Sequence, residues 1–252
     1  MTRTVLVTGG GRRLGAAMCR ACAASGWRVV VHHGASGEDA AALAAEIGGM
    51  TVSGDLSDTA QLGELFDRAV TAAGGPIAAL VNSASRFEED RPEAIDPRLA
   101  AELYAVNCTA PTLLAAALAA QPGLADGAVV NLLDQKLANP NPDFFSYSLT
   151  KYALAGATEM MAMAFAPRIR VNAVAPGLTL PSGDQTPEEF DQVARENLLQ
   201  RPVGAGQVAA AVAWLLDAPS ITGQTVYVDS GQRFVKRDGD VMFATRRGAD
   251  RG

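Results

Sequence analysis

Short β-branched or apolar runs alternate with longer amphipathic stretches from the first residues onward, and this alternation constrains the fold more than any other feature. Thr4–Thr8, Trp27–His32, Met50–Ser53, Ala79–Asn82, Ala128–Leu132, Arg170–Ala175 and Thr225–Val228 are predicted as strands. Helical patterns lie between them, near Leu14–Ser25, Gly37–Ile47, Thr59–Ala73, Pro97–Ala120, Ser146–Ala166 and Gln207–Leu216. Strands separated by helices pair in parallel through right-handed crossovers, which put helices on both faces of the sheet. The expectation is a single α/β domain built on a doubly wound parallel sheet of about seven strands. Such a sheet binds its ligand beyond the carboxyl ends of its strands, so the residues that follow each strand carry the functional information.

No internal repeat or linker interrupts the pattern, so one domain is expected over residues 1–232, with a polar tail at 233–252. Ser182–Thr186 reads as irregular. The tail holds Phe234, Val235, Val241, Met242 and Phe243, apolar groups that favour docking over solvation. It is expected to pack at a subunit interface near the substrate site. A formal charge of −6 argues against nucleic acid or an anionic membrane as partner. The N-terminal apolar run is too short for a signal peptide and no stretch reads as long enough to cross a bilayer, so a cytoplasmic protein is expected. Cys19 and Cys22 form a C-x-x-C, but they fall inside a helical pattern and lack a second Cys or His pair. They read as reduced packing residues, and no metal is expected.

The first strand ends in Thr8-Gly9-Gly10-Gly11-Arg12-Arg13-Leu14-Gly15, and a helix follows. Glycines there let the backbone approach a pyrophosphate, and the helix start offers free N–H groups and a favourable dipole. An arginine over such a turn can also hold phosphate oxygens in a bidentate fork. The second strand ends in His32-His33-Gly34-Ala35-Ser36, with no acid before Glu38. A carboxylate at this point would bind a ribose 2′-hydroxyl and repel a 2′-phosphate, so its absence favours NADPH/NADP+ over NADH. Arg12, His33 and Ser36 are candidate phosphate donors, although His33 reads equally as a polar strand end. Asp55 and Leu56 follow the third strand, where Asp55 reads either as a ligand contact or as a helix cap. Asn82-Ser83-Ala84-Ser85 follow the fourth.

Tyr147 and Lys151 form Y-x-x-x-K on one helix face, so both side chains can serve one site. An ammonium near a phenol favours the phenolate, so Tyr147 is expected to titrate below the usual value of about 10. Pro111 lacks the N–H that would bond the carbonyl of Asn107, freeing that carbonyl to hold a water and relay protons from Lys151.

These motifs, arriving in order at successive strand ends, resemble the short-chain dehydrogenase/reductase family and its T-G-x-x-x-G-x-G turn. Here Arg13 stands at the middle glycine, which resembles the T-G-x-x-x-R-L-G turn of the pteridine reductase branch and draws in Gly9, Arg13 and Leu14. The resemblance runs from about Thr4 to Gln232. It implies a Rossmann fold, contact of Asp55 with the adenine amine, and bracing of the sheet edge by Asn82 while Ser83, Ala84 and Ser85 let the cofactor pass. It further implies that Lys151 reaches the nicotinamide ribose, that Asn107 is catalytic, and that Pro176-Gly177-Leu178-Thr179 lies near the carboxamide. Most family members carry a serine where this chain has Asp134, thirteen residues before Tyr147. A serine hydroxyl donates to a developing oxyanion, whereas an ionised aspartate repels it; a C=N bond suits the aspartate better, because its carboxyl can assist Tyr147 in delivering a proton to the nitrogen. Asn-Ser-Ala-Ser-Arg-Phe resembles N-N-A-S-x-F of the pteridine reductases, whose phenylalanine stacks a flat pterin, a role for Phe87 with Ser85 facing the pterin. The expected enzyme is therefore an NADP-dependent oxidoreductase reducing a dihydropterin, with dihydrofolate as a further candidate substrate, and a homotetramer as is usual in the family. Two other readings stand beside it: a carbonyl reductase, and a cofactor-sensing protein without catalysis.

Overall fold

The computed structural model describes residues 3–181, 185–236 and 239–240. Among them, β1 (Thr4–Thr8), β2 (Arg28–His33), β3 (Met50–Ser53), β4 (Ala79–Asn82), β5 (Gly127–Leu132), β6 (Ile169–Pro176) and β7 (Thr225–Val228) form one sheet. Its order is β3-β2-β1-β4-β5-β6-β7, with every neighbouring pair parallel. The strands read as continuous apolar runs because both faces are covered. Val5, Val7, Val29 and Val31 point to one face, where α1 (Arg13–Ala24), α2 (Gly37–Ile47) and α8 (Ala205–Asp217) contribute Met18, Leu43 and Val212. Leu6, Val30 and Leu80 point to the other, against Phe66 of α3 (Leu62–Ala73), Leu114 of α5 (Ala110–Ala120) and Met161 of α6 (Phe145–Phe165). Cys19 and Cys22 are fully buried in the first of these layers, and burial pushes the Cys22 thiol up to about 12.

The predicted helix 97–120 is three pieces: α4 (Pro97–Tyr104), a π-helical turn at Ala105–Thr109, and α5. Pro111 offers no N–H to the carbonyl of Asn107, and the Ala110 N–H bonds the carbonyl of Ala105 instead, five residues back. This run corrects the reading that nothing here could cross a bilayer. Pro97–Ala120 is long and apolar enough by length and composition alone, but half of its most apolar window is buried inside the fold. Fully buried Leu103, Leu114 and Leu118 account for that composition.

A further helix, α7 (Pro187–Ala194), was not among those expected. Its start is a capping box: the Thr186 hydroxyl accepts from the Glu189 N–H while Glu189 accepts from the Thr186 N–H, with Pro187 in the first turn. The string T-P-E-E carried that signal. Of the segment read as irregular, residues 182–184 lie outside the described residues, as do Val241, Met242 and Phe243 of the tail.

The chain reverses its direction of winding between β1 and β4, and this opens the crevice that positions the site. Thr8 fastens it, its hydroxyl accepting from the N–H groups of Ser83 (3.0 Å) and Ala84 (3.1 Å).

Candidate active site

Two cavities run along the carboxyl edge of the sheet and share Ser85. The first follows β1, β2 and β3. Gly9 has φ +61°, and a Cβ there would stand 2.9 Å from Ala84 Cα; a Cβ at Gly15 would stand 2.1 Å from the Gly9 carbonyl. Turn, helix and β4 loop thus meet backbone to backbone, leaving the amino end of α1 open beside the crevice. Gly34, Ala35, Asp55 and Leu56 line this cavity with Gly9 and Ala84. Asp55 lines the cavity, and its Oδ1 accepts from the Ser57 N–H (2.8 Å) and hydroxyl (2.7 Å), which lowers its carboxyl pKa; it caps no helix, since the short helical turn at Thr59–Gln61 starts from Asp58.

His32, and not His33, is the histidine built into this cavity. Its Nδ1 accepts from the Gly9 N–H at 3.2 Å, so Nε2 carries the proton that meets the Gly54 carbonyl at 3.2 Å. Burial pulls it down to about 4, keeping the ring neutral as this brace requires. The partly exposed His33 bonds the neighbouring Gly34 carbonyl at 3.0 Å. Arg12 is ion-paired with Asp39 of α2, both exposed, and the Ser36 hydroxyl lies against Gly11. None of Arg12, His33 and Ser36 is among the cavity-lining residues.

The second cavity follows β4, β5 and β6, and gathers Arg13, Leu14, Ser83, Ser85, Phe87, Asp134, Tyr147, Lys151, Pro176 and Gly177. The Tyr147 hydroxyl donates to Asp134 Oδ2 at 2.9 Å, and Asp134 Oδ1 accepts from the Lys136 N–H at 2.9 Å. Lys151 Nζ donates to the Leu132 carbonyl at 2.8 Å and stands 5.4 Å from the centre of the Tyr147 ring. Asn107 is buried beneath them. Its side chain accepts from the Arg86 N–H (2.8 Å) and Ser85 hydroxyl (3.2 Å) and donates to Thr150 (3.2 Å), tying the β4 loop to α6. Asn82 donates to Asn131 Oδ1 (2.8 Å) and the Pro111 carbonyl (3.3 Å), bracing the sheet edge.

The electrostatics correct one expectation. Tyr147 is not shifted toward phenolate; burial first, and then the Asp134 carboxylate, raise it well above its usual value. Burial also raises Asp134 and lowers Lys151 to about 8. Tyr147 and Asp134 therefore form a hydrogen-bonded pair, hydroxyl donating to carboxyl, beside a lysine that burial makes easier to deprotonate. Phe87 is covered on one face by Phe144, with ring centres 4.0 Å apart and planes at 13°, and meets Tyr147 edge-on at 4.7 Å.

Gly177 admits no side chain, because a Cβ there would lie 2.7 Å from Gln232 Oε1 and 2.8 Å from Asp229 Cα. Gly177→Ala is expected to destabilise the fold by about 1–3 kcal/mol, the usual result of overpacking. A urea melt with an unchanged midpoint would show that the neighbours give way freely. Gln232 Oε1 also accepts from the Leu178 N–H at 2.7 Å, and Arg13, at φ 51°, reaches across to the Pro181 carbonyl. Gln232, Lys136, Asp240 and His32 were all missed as site residues. No motif flags them, since each arrives through tertiary packing.

A family profile described as enoyl-(acyl carrier protein) reductase matches residues 11–233. The chain belongs to the short-chain dehydrogenase/reductase family. Like other short-chain dehydrogenase/reductases it is an oxidoreductase. It is 31% identical to pteridine reductase 1 of Leishmania tarentolae, over 90% of this chain and 94% of that one. It is 29% identical to the 3-oxoacyl-[acyl-carrier-protein] reductase FabG of Staphylococcus aureus, over 92% and 98%. Among solved structures it matches FolM alternative dihydrofolate reductase 1 from Brucella canis complexed with NADP, at 40% identity, with a TM-score of 0.89 over 93% of this chain and 95% of that one.

Proposed function

We propose that this short-chain dehydrogenase/reductase is an NADPH-dependent reductase of the C=N bond of a dihydropterin. The observation that carries the reading is the hydrogen bond from Tyr147 to buried Asp134, at the position where a carbonyl reductase needs a donor for its oxyanion. A carbonyl oxygen gaining negative charge beside Asp134 is destabilised. A ring nitrogen gaining a proton is served by it.

The two cavities together fit NADPH. No acid ends β2 and Ala35 leaves room for a 2′-phosphate in the first, while Gly9 of the first and Arg13 and Leu14 of the second, at the start of α1, would flank a pyrophosphate between them. Arg12, outside the cavity lining, is the cation that the sequence places beside the 2′-phosphate. Its exposed pairing with Asp39 is worth about 1 kcal/mol at most, so a phosphate can take it over. NADPH supplies the hydride. Tyr147 gives its hydroxyl proton to the substrate nitrogen and recovers one from Asp134, which burial has made a weaker acid that keeps its proton to higher pH. Lys151, anchored on the Leu132 carbonyl, orients the cofactor ribose, and Asn107 holds the β4 loop and α6 in register.

Phe144 covers one face of Phe87, so a planar substrate ring would lie against the opposite one. Phe87→Ala is expected to raise the pterin KM by about tenfold with a smaller loss in kcat, since stacking holds ground state and transition state alike. A lowered kcat at constant KM would argue against this role. The whole reading is tested by NADPH oxidation against dihydropterins, dihydrofolate and a panel of ketones. Turnover of ketones alone would favour the carbonyl reductase reading, which the likeness to FabG keeps open.

A further inference from the structure

The segment beyond β7 returns a carboxylate to the catalytic cavity. Asp240 is 7% exposed and lines the same space as Asp134, Tyr147 and Phe87. Contacts with Lys136 and Asp143 hold it there. Its Oδ2 is 2.6 Å from Nζ of buried Lys136, and its backbone N–H donates to Asp143 Oδ2 at 2.7 Å. Lys136 also donates to Asn141 Oδ1 (3.1 Å) and the Asp143 carbonyl (3.0 Å), and stands 5.0 Å from the centre of the Phe144 ring that backs Phe87. Desolvation offsets much of the attraction in a buried ion pair, so stability alone is a poor account of it. The negative charge of Asp240 is also felt at the Tyr147 hydroxyl, where it adds to the upward shift.

We propose that Asp240 is a specificity-determining residue that sets the charge the substrate substituent can carry, admitting uncharged hydroxylated groups and disfavouring carboxylates. This rests on the pterin reading. In a 7,8-dihydropterin the reducible C=N bond carries its substituent on the carbon that accepts hydride. The substituent therefore lies close to the hydroxyl that serves the neighbouring nitrogen, in the part of the cavity that Asp240 shares with Tyr147. A substituent hydroxyl can donate to the Asp240 carboxylate. A substituent carboxylate meets like charge away from bulk water, a penalty on the order of tenfold in affinity.

The test uses the full chain saturated with NADP+ and two ligands that differ in charge on the same ring, 6-hydroxymethylpterin and 6-carboxypterin. The neutral ligand is expected to bind about tenfold more tightly. Asp240→Asn leaves Lys136 uncompensated and is expected to shrink or reverse that preference, while Asp240→Glu keeps it. Equal affinity of the wild type for the two ligands overturns the proposal, as does an unaltered ratio in folded Asp240→Asn. The wild-type ratio decides by itself where a variant does not fold. Binding of neither ligand, with NADP+ still bound, overturns the pterin reading and this inference with it; binding of both alike overturns the inference alone.

Discussion

Asp134→Ser is expected to cut dihydropterin turnover by about 10²-fold, the scale of a positioned general acid, with little change in NADPH affinity. The reason is the geometry: Asp134 touches Tyr147 at 2.9 Å and lines the second cavity, away from the first, to which we assign the adenosine half of the cofactor. The pH profile gives a second readout. Burial raises Asp134, so its acid form survives above the usual carboxylate range, and turnover should fall as pH rises through that shifted value. The serine variant should lack that limb. A carbonyl reductase predicts the opposite, since serine supplies an oxyanion donor. If the wild type reduces only a ketone and Asp134→Ser reduces it faster, the assignment to pterins fails.

Ala35→Asp is expected to weaken NADPH by about 10²-fold while sparing NADH. Ala35 lines the first cavity just beyond β2, where, on the NADPH reading, an added carboxylate would repel the 2′-phosphate. Like charges at about 4 Å repel by about 1–4 kcal/mol, between the limits of bulk water and a protein surface. Steady-state KM values for both cofactors check it. Equal wild-type affinity for NADPH and NADH would remove the argument from the missing acid.

The strands and the order of the site motifs were legible because they are local. Val5, Val7 and Leu6 announce a strand buried on both faces, and glycines 9–11 announce a tight turn before a helix. Tyr147 and Lys151 are one helical turn apart, and no long-range packing is needed to bring them together. What escaped depends on where distant segments meet. Nothing around His32 reveals that its ring joins the Gly9 turn to Gly54. Nothing in Lys136 or Asp240 reveals their pairing across more than a hundred residues of chain. The titration of Tyr147 was misread for a related reason. Charge proximity could be guessed from spacing, but full burial and the hydroxyl's bond to Asp134 could not, and these dominate.

The two cavities draw on different stretches of the gene. Apart from Ala84, Ser85, Arg86 and Val106, the lining of the first comes from residues before 58, while that of the second comes from residue 83 onward except for Arg13 and Leu14. The reversal of winding between β1 and β4 makes this split possible, because it turns one linear message into two half-sites facing each other. A lineage can therefore rewrite the later half-site, by drift or by exchange of its later portion, while leaving intact most of the half-site built before residue 58. Chimaeras joined within α3, which lines neither cavity, should inherit cofactor preference from one parent and substrate preference from the other.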